Sequence, residues 1–327
     1  MAEESRGGGG GSGGRLKVLF WGTPEFAVPS LRALAEEGHE VVGVVTQPDR
    51  PAGRGRQLKG SAVKQVALEE GGYPVLTPEK PCGEAFLASL RALAPELSVV
   101  AAYGHILPRE VLDLPAHGSI NVHASLLPEL RGAAPINWAI ARGYELTGVT
   151  IMRMVEAMDA GPILFQAEEP IQPGETATEL TARLSQIGAE ALIEALALLD
   201  AGELEEREQN EALATYAPKV GREVARIDWE KEARAVADHV RAMDEAPGAW
   251  TLRAGRPVKL FRPKAAPEGR DAAAPGTVVV ADALRGLLVA VGDGVIEFAE
   301  AQPAGGRRMP ATEWIRGRGV AQGDHFE

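Results

Sequence analysis

Short apolar runs and longer helical repeats alternate along the first two-thirds of the chain. The run Leu16–Trp21 is interrupted only by Lys17, which is typical of a parallel strand buried on both faces. Thr23 followed by Pro24 then predicts a capped helix. The alternation continues to a long amphipathic repeat at Ala177–Leu199, and it predicts an α/β domain with a doubly wound, mostly parallel sheet. Further strands are predicted at Glu40–Val45, Val75–Leu76, Leu97–Ala102, Ile120–His123, Val149–Met154 and Pro162–Ile171, and further helices at Ala62–Glu70, Glu84–Leu93 and Ala134–Ala141.

The pattern changes after that repeat. Residues 203–221 are charged and only weakly periodic, which indicates a linker. A helix at Glu230–Met243 then precedes short strands separated by Gly, Pro and Asp, which predicts a small β-barrel or sandwich. These strands are predicted at Ala249–Arg253, Val258–Phe261, Gly276–Val280, Gly286–Ala290 and Val295–Glu300. We therefore predict a disordered glycine-rich extension at 1–14, a first domain at 15–202, the linker at 203–221 and a second domain at 222–327.

The composition narrows the possible classes of protein. With 327 residues and 45% hydrophobic residues, the chain is long enough for two domains with cores of their own. The single cysteine, Cys82, excludes an intrachain disulfide framework and is typical of a protein of the reducing cytosol. The six histidines show no spacing typical of metal ligands, so no metal site is expected. No apolar run approaches the ~18 residues that a membrane span requires, so no membrane association is expected.

The net charge of −12 argues against non-specific binding to nucleic acid, but two stretches are basic. Residues 48–59 have a net charge of +3, and a basic loop in an acidic chain suggests contact with phosphates. Residues 250–318 have a net charge of +4, which suits a small β-domain that binds nucleic acid. Ordinary solubilising charge is the alternative in both cases. The bases are Arg50, Arg54, Arg56 and Lys59 in the first stretch, and Arg253, Arg256, Lys259, Arg262, Lys264, Arg270, Arg285, Arg307, Arg308, Arg316 and Arg318 in the second.

Asn121 and His123 lie two residues apart on a predicted strand, so their side chains project from the same face. Ligands bind at the carboxyl ends of such strands in doubly wound sheets. Downstream, Asp159 precedes a Gly-Pro turn, and a carboxylate beside an imidazole favours the charged ring. An amide, an imidazole and a carboxylate without a serine or cysteine nucleophile suit direct acyl transfer to an amine. The alternatives are a structural strand-end pair and an ordinary turn aspartate.

Two further stretches indicate which kind of ligand the site could bind. Leu126, Leu127 and Pro128 follow the Asn-x-His strand and would form an apolar wall, which suits a flat heterocycle better than a sugar or a phosphate. Gly22, after the first strand, stands in a turn without the GxGxxG pattern of dinucleotide sites. A dinucleotide cofactor is therefore not expected.

Several motifs together resemble the methionyl-tRNA formyltransferase family, over nearly the whole chain from about Leu16 to Gly317. The Asn-x-His pair with a later Asp is shared with the wider group of 10-formyltetrahydrofolate transferases. The arginine-rich loop and the basic second domain are typical of the family that acts on initiator tRNA. The motifs that carry the resemblance are Phe20–Ala27, Thr46–Gly55, Ala102–Pro108, Asn121–Ile136, Thr147–Met152 and Gln302–Gly305.

The resemblance implies a Rossmann-like formyltransferase domain followed by an OB-like β-barrel that also contacts tRNA. It implies transfer of the formyl group of 10-formyltetrahydrofolate to the amino group of methionyl initiator tRNA. On this basis we expect a cytoplasmic monomer that needs no metal. By the match, the catalytic set is Asn121, His123 and Asp159, the folate-binding stretch is Ser125, Leu126, Leu127 and Pro128, and Arg54 is the loop arginine that engages the acceptor end of the tRNA. With the basic charge of the same loop, the expected tRNA-binding residues are Arg50, Arg54 and Arg56.

Two other functions stay open at this point. One keeps the chemistry and changes the acceptor to glycinamide ribonucleotide or an amino sugar, and the two basic stretches argue against it. The other is a non-catalytic RNA-binding protein on a formyltransferase scaffold. The complete set of Asn121, His123 and Asp159 argues against that second alternative.

Overall fold

The computed structural model describes residues 14–52, 57–265 and 273–327, which form two compact units. Each unit is assembled from separate stretches of the chain. The first unit takes its described residues from Met1–His123, Thr150–Ala167 and Ser185–Gln209, and the second unit takes them from Ala124–Val149, Glu168–Leu184 and Asn210–Glu327. The predicted extension at 1–14 lies outside the described residues except for Gly14. The predicted domain boundaries stay a prediction.

The strands and helices of the described residues follow in chain order. The strands are β1 (Lys17–Gly22), β2 (Glu40–Val45), β3 (Arg50–Ala52), β4 (Gln57–Lys59), β5 (Val75–Leu76), β6 (Leu97–Ala101), β7 (Ser119–His123), β8 (Leu146–Arg153), β9 (Ile163–Pro170), β10 (Trp250–Arg253), β11 (Arg256–Ala265), β12 (Val278–Asp282), β13 (Gly286–Ala290), β14 (Val295–Pro303) and β15 (Met309–Pro310). The helices are α1 (Val28–Glu36), α2 (Ala62–Val66), α3 (Glu84–Leu93), α4 (Arg109–Leu112), α5 (Pro135–Ala141), α6 (Ala177–Ala201), α7 (Ala233–Ala242) and α8 (Ala311–Arg316).

The first unit is organised around a seven-stranded sheet with the order β5-β2-β1-β6-β7-β8-β9. β1 pairs in parallel with β2 on one side and with β6 on the other, so the strand order reverses beside β1 as in other doubly wound sheets. β7 is parallel to β6, whereas β8 is antiparallel to β7. The predicted fold class of this domain, a doubly wound and mostly parallel sheet, is confirmed.

The central strands are apolar because both faces of the sheet are covered. Leu19 and Trp21 of β1 are at most 1% exposed, and they pack in one cluster with Leu90 and Tyr103. Full burial of such side chains is worth about 1.5–3 kcal/mol each, so these runs set which segments become inner strands. The Trp21 indole nitrogen is satisfied at the same time, because it donates to Ser98 Oγ at 3.2 Å.

Two local predictions in this unit were wrong. Thr23 does not cap a helix, because its hydroxyl donates to the Tyr103 carbonyl at 3.1 Å. A short 3₁₀ turn follows instead, and α1 begins only at Val28 with Pro29 in its first turn. The basic stretch is also not a simple loop: β3 and β4 pair as antiparallel strands, with Arg50 opposite Lys59.

The second unit contains a six-stranded antiparallel sheet with the order β10-β11-β14-β13-β12, and β15 pairs with β14. The ladder is open between β10 and β12, and the C-terminal residues hydrogen-bond to both sides of this opening. Leu252 and Glu327 exchange backbone hydrogen bonds of 3.3 and 2.9 Å, and the Phe326 amide donates to Gly276 at 2.8 Å. Gly276 has a φ of +85°, and a Cβ there would lie 2.3 Å from the Phe326 oxygen. The six-stranded antiparallel sheet confirms the predicted small β-domain after the α/β domain.

Among the described residues, no helix combines the length and the apolar composition needed to cross a membrane.

Candidate active site

The candidate site of the first unit begins at the carboxyl end of β7. Asn121 lies between Val100 of β6 and Met152 of β8, and His123 lies opposite Thr150 of β8. Their spacing places both side chains on one face of the sheet. His123 is 5% exposed and Asn121 is half-buried, so the ionisable ring is largely removed from water and the amide beside it is partly accessible.

The structure brings Asp159 to His123, as the sequence analysis required. After β8 the chain makes a turn, and Oδ2 of Asp159 comes within 3.8 Å of His123 Nδ1. This distance is that of an ion-pair contact and is longer than a hydrogen bond. Asp159 has a φ of +49°, in the left-handed region that non-glycine residues rarely adopt. Gly161 is required in the same turn, because a Cβ there would lie 1.9 Å from the Arg153 carbonyl oxygen.

Gln209 is a residue at this turn that the sequence analysis did not identify. Its side-chain amide donates to the Asp159 carbonyl at 2.8 Å and to the Gly161 carbonyl at 2.7 Å. The residue lies in the charged stretch that predicted a linker, and nothing in that local pattern distinguishes it from its neighbours.

The predicted folate-binding stretch follows β7 and belongs to the second unit. Ser125 is fully buried and donates to the Glu129 carbonyl at 2.6 Å. Leu127 is 3% exposed and is joined to Pro128 by a cis peptide bond, while Leu126 and Pro128 are partly exposed. The apolar surface that this stretch offers to a ligand therefore comes from Leu126 and Pro128.

Arg131 connects the end of this stretch to residues 211–217 within the second unit. Its buried guanidinium donates to both carboxylate oxygens of Glu211, at 2.8 and 3.0 Å, and this hydrogen bonding lowers the pKa of the Glu211 carboxyl. The backbone of Arg131 also bonds to Thr215 and to Ala217. The predicted linker is thus held to the second unit at this point by side-chain and backbone contacts.

The basic stretch of the first unit is partly described. Arg50 is exposed and donates to Gln47 Oε1 at 2.7 Å, and the Gln47 amide donates to the Tyr103 carbonyl at 3.0 Å. Asp49 is paired with Lys64 at 2.8 Å. The only acid of the stretch is thus already neutralised by a residue outside it. Arg54 and Arg56 lie outside the described residues.

The cationic side chains of the second unit differ in their partners. Four of the eleven bases predicted to form its basic surface are ion-paired, and Arg270 lies outside the described residues. The paired ones are Arg253, Arg262, Arg307 and Arg308. The others have no carboxylate of the described residues within ion-pair distance, and they are Arg256, Lys259, Lys264, Arg285, Arg316 and Arg318.

Within the described part of the chain, no group of three or more His, Cys, Asp or Glu side chains is arranged to hold a metal ion.

Comparison with known proteins finds a match for the first part of the chain and another for the second part. The formyl transferase family model matches residues 15–196, and the model of the formyl transferase C-terminal domain matches residues 219–319. A methionyl-tRNA formyltransferase from Thiobacillus denitrificans is 48% identical over 94% of this chain and 98% of its own length. One from Aromatoleum aromaticum is 49% identical over 95% of this chain and 97% of its own length.

The fold also occurs in a solved structure, HypX from Aquifex aeolicus in complex with tetrahydrofolic acid. The TM-score is 0.64 at 21% identity, over 94% of this chain and 49% of that chain. This likeness concerns the fold alone.

Fold, strand-end side chains and the two matched models together define the class, a two-domain formyl transferase. Because one relative is 48% identical over nearly its full length, the family within this class can be named as well. The chain belongs to the methionyl-tRNA formyltransferase family.

Proposed function

We propose that this enzyme transfers the formyl group of 10-formyltetrahydrofolate to the α-amino group of methionyl initiator tRNA. The observation that carries the proposal is the contact of 3.8 Å between Asp159 and His123, with Asn121 on the same strand face as His123. The hydroxyls two residues before and two residues after the Asn-x-His motif, those of Ser119 and Ser125, are both buried and donate to backbone carbonyls. A direct attack by the substrate amine therefore suits the site better than a covalent enzyme intermediate does.

In the proposed mechanism, the neutral amine of the methionyl ester attacks the formyl carbon. Free α-amino groups have pKa values near 7.7–8.0, so a useful fraction is unprotonated near neutral pH. The new C–N bond places negative charge on the formyl oxygen. Asn121 donates a hydrogen bond to this oxygen, and so does the imidazolium of His123.

Asp159 stabilises the positive charge of His123 in this scheme and orients the ring. As the tetrahedral intermediate collapses, the bond between the formyl carbon and N10 of the folate breaks. The proton of the attacking amine passes through water to the departing nitrogen, and Asp159 is placed to assist that transfer. Formyl-methionyl-tRNA and tetrahydrofolate are the products.

The folate is proposed to lie against Ser125, Leu126, Leu127 and Pro128, where Leu126 and Pro128 offer apolar surface to a flat ring. The acceptor end of the tRNA is proposed to contact Arg50, Arg54 and Arg56. The unpaired cations of the second unit supply further phosphate contacts. We propose that the enzyme works as a cytoplasmic monomer, with catalytic residues at 15–202 and a tRNA-binding domain at 222–327.

The decisive experiment incubates the protein with 10-formyltetrahydrofolate and charged tRNA and measures N-formyl-methionyl-tRNA. Initiator and elongator Met-tRNA are compared in parallel. Product on the initiator alone is the expected result. Release of tetrahydrofolate without formylated tRNA, in the presence of another amine, would contradict the acceptor and retain the chemistry.

A further inference from the structure

The direction of the Asp159 carboxylate depends on an unfavourable backbone conformation. With a φ of +49°, Asp159 has left-handed geometry, which costs energy for residues with a Cβ, although less for Asp and Asn than for most others. A residue that relaxed to negative φ would point its side chain elsewhere, because the direction of Cβ follows from φ and ψ. The contact of 3.8 Å with His123 therefore needs something that holds this turn.

Gln209 supplies two hydrogen bonds at this turn. A side-chain amide has two N–H donors, and here Nε2 lies 2.8 Å from the Asp159 carbonyl and 2.7 Å from the Gly161 carbonyl. Gln209 is only 9% exposed, so water cannot freely replace it. Removing the amide would take a hydrogen bond from one buried acceptor, the Gly161 carbonyl, and from one partly buried acceptor, the Asp159 carbonyl, and the turn would be free to move.

Gln209 is itself held in place by its neighbours, which we call the 206–209 strap. Arg207 and Ile163 exchange backbone hydrogen bonds of 2.9 and 2.8 Å, which align the strap with the start of β9. Glu206 accepts two hydrogen bonds from Arg153, at 2.6 and 3.1 Å. The strap is thus fixed at two points before it reaches the Asp159 turn.

From these contacts we infer that Gln209 is a positioning residue for formyl transfer, which holds the Asp159 turn in its left-handed form and so keeps the carboxylate beside His123. The role assigned to Gln209 acts through Asp159, by way of the two hydrogen bonds to its turn. The inference rests on the proposed function, because it assumes that the Asp159–His123 pair does the chemistry.

Two variants test this inference. Gln209→Glu keeps the shape of the side chain and loses the amide donors, and Gln209→Leu loses them without adding charge. We expect each to lower kcat by about 10- to 100-fold, as misplacement of a catalytic group does. The KM values for 10-formyltetrahydrofolate and for Met-tRNA should stay within about twofold, because the lost interaction acts on the chemical step. If the leucine variant does not fold, Gln209→Met, of similar length, replaces it.

A double-mutant cycle distinguishes positioning from a general loss of structure. In the Asp159→Asn background the carboxylate is already absent, so Gln209→Leu should lower kcat by less than about twofold more. The same large loss in both backgrounds would overturn the inference, and so would an unchanged kcat of the single variants. Thermal unfolding of every variant shows that folded protein is compared.

A matched control is Gln65→Leu. The Gln65 amide also donates to the carbonyl of a glycine, Gly60, at 3.4 Å, but Gln65 is an exposed residue of α2 and belongs to none of the proposed catalytic, folate-binding or tRNA-binding residues. Its kcat should equal that of the parent. Failure of the parent to formylate Met-tRNA would refute the proposed function, and the cycle would then be measured on tetrahydrofolate release from 10-formyltetrahydrofolate.

Discussion

The carboxylate of Asp159 lies 3.8 Å from the imidazole of His123, and their side chains are only 17% and 6% exposed. A charge pair that is largely removed from water interacts more strongly than one on the surface. The contact becomes an ion pair when the ring is protonated, and in that form both ring nitrogens can donate hydrogen bonds, one of them to a developing oxyanion.

Loss of the donors or of their charge partner should slow the chemical step. We expect Asn121→Ala and His123→Ala each to lower kcat by about 10²–10³-fold, because one oxyanion donor is typically worth that factor. Asp159→Asn keeps the shape of the side chain and removes its charge, and it should also lower kcat. Steady-state kinetics with initiator Met-tRNA measures the loss.

The affinity for tRNA serves as the control for these variants. Filter binding should show Kd values for Met-tRNA close to that of the parent, because none of the three side chains is proposed to hold the tRNA. Full activity in all three variants would refute the assignment of the site.

The basic stretch makes a different prediction. Arg50→Ala and Arg54→Ala should weaken tRNA binding and reduce the slope of log K against log salt by about one, as the loss of one phosphate contact does. Slow release of tetrahydrofolate without tRNA should be unaffected. Arg32→Ala is the control, since Arg32 is an exposed base of the same unit that pairs with Glu70. An equal change of slope in the control would contradict a specific role for the stretch.

The sheet was predictable because continuous apolar runs mark strands that are buried on both faces. Glu40–Val45 and Val75–Leu76 were predicted with the bounds that the structure has. The start of α1 was not, because Thr23 forms a tertiary hydrogen bond with Tyr103 that local capping rules do not contain. The helix Ala311–Arg316 was missed since six residues are too few for a clear helical repeat.

The candidate site was predictable only in part. The spacing of Asn121 and His123 indicates a shared face, because strand geometry is local. That Asp159 reaches His123 depends on the fold. The local sequence offered its carboxylate as a candidate, with an ordinary turn aspartate as the alternative, and the resemblance placed it in the catalytic set. The position of Gln209 had no local signal, because a hydrogen bond to two carbonyls leaves no periodic pattern in the sequence.

Tyr103 offers a test of the core of the first unit. Its hydroxyl is buried without a hydrogen-bond partner among the described residues, and burial raises its pKa to about 12. A buried hydroxyl without a partner carries a desolvation cost. Tyr103→Phe should therefore leave the free energy of unfolding unchanged or raise it by about 1 kcal/mol. Urea unfolding measures the free energy. Trp21→Phe is the comparison variant: it loses the hydrogen bond to Ser98 and should be destabilised. A clear destabilisation of Tyr103→Phe would show that the hydroxyl has a partner.

His239, on α7, should make the stability of the protein depend on pH. Burial lowers its pKa from the ordinary value of 6.5 and nearby Lys231 lowers it further. Hydrogen bonding to the backbone of Ala225 and Arg226 and the charge of Asp228 oppose this shift without reversing it. Nε2 has no hydrogen-bond partner in the described part of the chain. Below about pH 6.5 the unfolded chain binds a proton that folded His239 does not, so the free energy of unfolding decreases as the pH is lowered, until the folded group also becomes protonated. Well above pH 6.5 His239 is neutral in both the folded and the unfolded chain, so its titration costs no stability there.

The His239 contribution can be isolated by comparing variants at pH 7.5 and 5.5. Between pH 6.5 and 5.5, one such histidine removes at most about 1.4 kcal/mol from the free energy of unfolding. His239→Gln should lose less stability over this range than the parent does, as measured by urea unfolding at both pH values. His325→Gln replaces an exposed histidine of the same unit and should behave like the parent. Equal losses in the parent and in His239→Gln would mean that His239 binds a proton equally well in the folded and unfolded states.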